Sequence, residues 1–124
     1  MHKPLRYRDF SRSDITYADN TFFVERASSA LRDLGVRPGE RVGISTSNNV
    51  DLPLSIFAIA HAGAIAVPMN YMLKAGEMRY ILENCKAETL IVDGEVFDGN
   101  IGNKEELPGI KRWIMAESQG VKGS

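Results

Sequence analysis

Ser45 is the residue in this chain that comes nearest to a catalytic pattern. It sits at the centre of Gly43-Ile44-Ser45-Thr46-Ser47, which begins like the nucleophile elbow of a hydrolase. The fifth position is Ser47, where that turn needs glycine, and the elbow also needs a histidine and an acid later in the chain. His61 is the one histidine beyond His2, and it falls on the most apolar helical stretch. Its bland role is a core-edge histidine near a helix C-terminus, where the helix dipole favours the charged ring. A general base would need a partner within hydrogen-bond reach, and none is near it in sequence. Ser45 therefore reads as the end of a buried strand. Cys85, the single cysteine, lies on an apolar helical stripe and reads as an inert small hydrophobe. Lys86 beside it points about 100° round the helix and does not activate the thiol. Asn48 and Asn49, which follow a strand and open a helix, are better placed, as is Met69-Asn70-Tyr71 after the next strand. In open α/β sheets ligands bind beyond the carboxyl ends of the strands. Asparagine is also an ordinary cap and turn former there, and that is the preferred reading.

Phosphate-binding patterns are missing. No GxxxxGKS/T occurs and no GxGxxG follows a strand. No cysteine–histidine cluster offers a structural zinc site, and one cysteine rules out an internal disulfide. Trp113 reads as a packing residue. Nothing here assembles a nucleophile, a base and an oxyanion site.

The periodicity shows what holds these residues. A capping-type Thr16 stands three positions before Asp19, and Phe23, Ala27, Ala30, Leu31 and Leu34 follow at helical spacing. Gly35 caps that helix, and Arg37-Pro38-Gly39-Glu40 predicts a type II turn. Strands are predicted at 41–45, 64–67, 89–92 and 110–115. Between the first two lies a helix over 50–62, apolar nearly all round and so expected to be buried on several faces. Met78, Ile81, Leu82 and Cys85 mark a third amphipathic helix. Residues 94–109, rich in glycine, predict a loop with one short turn at 104–107. Alternating strands and helices imply an α/β fold with a mainly parallel sheet covered by helices.

The 124 residues suffice for one domain, and 44% hydrophobic with 25% charged content is ordinary for a globular chain. Fifteen Lys and Arg against sixteen Asp and Glu leave a net charge of −1, so charge makes no case for nucleic acid or an acidic membrane. The stretch Leu52–Met69 is mostly apolar, but Gly63 and the strand-like residues after it argue against a membrane span. Lys3, Arg6, Arg8 and Arg12 have no apolar run behind them, so no signal peptide is expected. The expected compartment is the cytoplasm.

The succession of segments resembles the opening of the AMP-forming acyl-CoA synthetases, a superfamily that includes peptide-synthetase adenylation domains and luciferase. Ile15-Thr16-Tyr17-Ala18-Asp19 and the run from Ala30 to Ile44 carry its first part. His61-Ala62-Gly63-Ala64-Ile65-Ala66-Val67-Pro68-Met69-Asn70 resembles its second core motif, with His61 in place of the commoner lysine. Asn20 stands where the first motif usually has leucine. Residues 75–93, ending Ala87-Glu88-Thr89-Leu90-Ile91-Val92-Asp93, resemble the helix and strand that come after this motif in the family. The resemblance covers residues 13–116, a partial N-terminal α/β subdomain, preceded by an extension over 1–12 and followed by a polar tail over 117–124.

That resemblance implies a parent enzyme that activates a carboxylate with ATP and Mg²⁺ and passes the acyl group to CoA. The phosphate loop, the later ATP-binding motifs and the mobile C-terminal domain of such enzymes lie downstream of the segments matched. No catalytic, cofactor-binding or metal-binding residue can be carried onto this chain, and it is expected to be inactive alone and to bind no cofactor. The contrary reading is a free-standing α/β module that binds a nucleotide or a protein. Three helices and four strands give the sheet incomplete cover, so an apolar patch or an open strand edge is expected. Self-association, most simply as a two-fold homodimer, is the expected consequence.

Overall fold

The computed structural model describes residues 17–47 and 52–116. Asn48 and Asn49, the Thr16 cap, the extension over 1–12 and the tail over 117–124 lie outside them. The elements, in chain order, are α1 (Tyr17–Asp33), β1 (Arg41–Ser45), α2 (Leu52–His61), β2 (Ile65–Pro68), α3 (Ala75–Cys85), β3 (Thr89–Asp93) and β4 (Arg112–Ala116). All four strands run parallel, in the order β2-β1-β3-β4. Such an order requires the chain to leave β1 on one side and return on the other. The expected α/β class and parallel sheet are therefore what the chain forms.

The pleat of β1 explains how the sheet is covered. Val42 and Ile44 point to one face, where they pack with Leu31, Ile59 and Ile91 beneath α1 and α2. Gly43 points to the other face, where Leu90 and Val92 meet Met69, Met78 and Leu82 of the α3 side. A Cβ on Gly43 would stand 2.7 Å from Leu82 Cδ2 and 3.1 Å from Leu90 Cδ1. Glycine is needed here for close approach, since its backbone φ is not in the left-handed region. The predicted cap and turn also form. Gly35 has φ +105° after α1. Gly39 has φ +89°, and Glu40 N–H donates to the Arg37 carbonyl at 3.1 Å.

Five expectations need correction. Helix α2 ends at His61, with Ala62 and Gly63 in the turn that follows. It is not buried on several faces: Ala58 and Ile59 are buried, while Phe57 is 63% exposed. Its apolar outer face lies uncovered because α1 flanks it on one side only and the sheet lies beneath. Strand β2 runs one residue later than predicted and is an edge strand, so its side chains are exposed or half-buried. Strand β4 begins at Arg112, not Ile110. The backbone N–H groups of Lys111 and Arg112 both donate to the Glu88 carbonyl, which anchors the chain before the ladder begins. Residues 94–109 are more regular than a loop. A helical turn at Gly94–Val96 widens into a π turn at Phe97–Ile101, and a 3₁₀ turn follows at Lys104–Glu106. Val96, Ile101 and Leu107 from this stretch are buried against the α3 side of the sheet. Its glycines therefore punctuate short turns that still carry a core.

Two core substitutions and one surface control test this packing. Ile59→Asp, at a position with 0% exposure, should cost more than about 3 kcal/mol by burying an uncompensated carboxylate. Gly43→Ala should cost about 1–3 kcal/mol, because Leu82 must leave its position. Arg32→Asp on the exposed last turn of α1 should cost no more than about 1 kcal/mol through the helix dipole. Urea denaturation of the three variants gives the ranking, and equal losses would contradict it.

Candidate site at the carboxyl edge of the sheet

In a parallel sheet the carboxyl ends of all the strands lie at one edge. Here α2 leaves β1 to one side and α3 brings the chain back to the other. The crevice where this reversal occurs, between the ends of β1 and β3, is where such folds bind ligands. Ser45, Ser47, Asn70, Tyr71 and Asp93 all lie at or just beyond that edge. His61 and Cys85 end their helices at the opposite edge, so neither can serve Ser45.

Ser45 is 1% exposed, and its hydroxyl is 3.4 Å from the Asn70 carbonyl. It is a strand end closed over by the next connection, as the sequence indicates. Cys85 Sγ lies 3.6 Å from the Leu82 carbonyl within its own helix, consistent with the inert stripe residue expected. Asn70 Oδ1 accepts from Met72 N–H at 2.8 Å, the local turn bond that asparagine forms readily. Trp113 meets Phe97 edge to face, with ring centroids 5.5 Å apart, and Lys104 Nζ stands 5.9 Å above it. Its packing role holds.

The strongest arrangement at this edge involves Asp93, which the sequence marked only as the end of a strand. Its side chain is 1% exposed. Oδ1 accepts from Val96 N–H at 2.9 Å, the N-cap bond of the turn that follows. Oδ2 accepts from the backbone N–H of Ser47 at 2.8 Å and from its hydroxyl at 2.6 Å. The Ser47 hydroxyl is also 2.9 Å from Glu95 Oε1, with one proton to give to two carboxylates. Asp93 thus ties the end of β1 to the end of β3. An aspartate three residues before a helical N–H is the signal that could have found it.

Beside this latch is a cavity of about 380 Å³, lined by Ser47, Tyr71, Lys74, Glu95 and Asn100 among others. Lys74 Nζ donates to Asn100 Oδ1 at 2.9 Å, and Asn100 Nδ2 donates to the Tyr71 carbonyl at 2.6 Å. Glu77 Oε1 accepts from Lys74 N–H at 3.0 Å, so this residue also opens α3. The chemistry available is acceptance and donation of hydrogen bonds. Among the described residues no group of three His, Cys, Asp or Glu could hold a metal ion.

A family model described as AMP-binding enzyme matches residues 3–121. The long-chain-fatty-acid–CoA ligase FadD13 of Mycobacterium tuberculosis is 32% identical over 108 residues, which are 84% of this chain and 21% of that protein. A feruloyl-CoA synthase of an Amycolatopsis species is 38% identical over 77 residues, 62% of this chain and 16% of the relative. Among solved structures, a long-chain-fatty-acid–CoA ligase of Archaeoglobus fulgidus superposes with a TM-score of 0.75 at 26% identity. It covers 92% of this chain, which covers 23% of it. The chain spans about a fifth of the length of the curated relatives it matches.

The latch predicts a stability order. Asp93→Ala strands the Ser47 and Val96 N–H groups and should cost about 2–4 kcal/mol. Glu95→Ala removes an exposed carboxylate and should stay within about 0.5 kcal/mol. Chemical denaturation at neutral pH separates the two, and equal effects would show that Asp93 is not the tie.

Proposed function

The chain belongs to the AMP-binding enzyme family, and we propose that it forms the N-terminal part of an ATP-dependent, AMP-forming acyl-CoA ligase. The observation that carries this reading is the family match across residues 3–121, together with relatives whose names describe CoA ligases. In the whole enzyme the carboxylate of the acid would attack the α-phosphate of ATP, giving acyl-adenylate and releasing pyrophosphate. The thiolate of CoA would then attack the acyl carbonyl, forming the thioester as AMP leaves. Named relatives act on fatty acids and on an aromatic acid, and a fatty or aryl carboxylate is the substrate class we propose. The cytoplasm is the proposed compartment. Among the described residues no helix is long and apolar enough to cross a membrane.

The part played by these residues is structural. They supply four strands of the sheet and the helices on its two faces. The carboxyl-edge cavity does not fit a nucleotide triphosphate or its magnesium ion. Lys74, its lining cation, is bonded to Asn100, and Glu95 in the same lining would repel phosphate. Asp93 Oδ2 accepts hydrogen bonds from the Ser47 N–H and hydroxyl. We propose that ATP, Mg²⁺ and CoA are held by parts of the whole enzyme outside this segment. We propose further that the 124-residue chain self-associates, because Phe57, Ile65 and Met115 are 63%, 46% and 52% exposed.

The purified 124-residue chain, incubated with labelled pyrophosphate, ATP, Mg²⁺ and a panel of fatty and aromatic acids, should exchange pyrophosphate at background rates. Exchange well above background would overturn the structural role. A longer protein carrying this segment and the downstream phosphate loop should exchange with at least one acid of the panel. Failure with all of them would count against the ligase reading.

A further inference from the structure

We draw no further inference here: the strongest candidate, the carboxyl-edge cavity of about 380 Å³ that Lys74 and Glu95 line between the β2–α3 connection and the turns after β3, belongs to the site already described, and in a segment about a fifth of the length of its relatives nothing in the structure shows what covers it.

Discussion

The missing side chain of Gly43 is the constraint on which the rest of the structure depends. Strand β1 is the axis of the sheet, with β2 on one side and β3 on the other, and it must be covered on both faces. Val42 and Ile44 give α2 and α1 a surface to bury, while Gly43 lets the Leu82 side chain of α3 settle almost onto the backbone. Leu82 and Met78 can then reach Leu90 and Val92 of the neighbouring strand, and the second core forms around them. Interiors are packed so closely that a single methyl group at such a point is felt.

Further out, polar bonds take over the work of holding connections in place. Arg112 donates to the Leu34 carbonyl and to Thr89 Oγ1, and it pairs with Glu40 at 3.5 Å. It thereby joins the end of α1, the turn before β1, and strands β3 and β4. At the carboxyl edge Asp93 plays the corresponding part for Ser47 and Val96. A buried carboxylate that receives this many donors is a fixed point of the scaffold, and its acceptor capacity is committed. This accounts for a fold with a ligand-binding topology whose polar groups are occupied with one another.

Much of the fold was legible because the core-forming positions carry strong periodic signals. Met78, Ile81, Leu82 and Cys85 mark α3 without ambiguity, and Pro38-Gly39 marks its turn. Helix α2 misled because hydropathy cannot tell a side chain buried in this chain from one left uncovered: Phe57 and Ile59 look alike in sequence. Residues 94–109 misled for the opposite reason, since their glycines hid Val96, Ile101 and Leu107, which are spaced too irregularly to show a period. Asp93 and Ser47 lie 46 positions apart, and no local pattern joins them. The expectation that Ser45, His61 and Cys85 are non-catalytic rests on residue types. That His61 and Ser45 lie at opposite edges is information only the topology supplies.

The strand order carries a consequence for how the molecule comes into being. Strand β1 is complete at Ser45, yet its partner β3 does not begin until Thr89, with α2, β2 and α3 in between. During synthesis, at about 5–20 residues per second, the inner edge of β1 waits for a time on the order of seconds. In that interval β2 is the one described strand that β1 can pair with, and Leu82 has no finished surface to dock on until β3 arrives. The nascent chain therefore passes through a two-stranded stage in which β1 is open on the side that β3 will take. The arrival of Asp93 from the ribosome closes it, because only then can the end of β1 be fastened to the strand that completes the centre of the sheet.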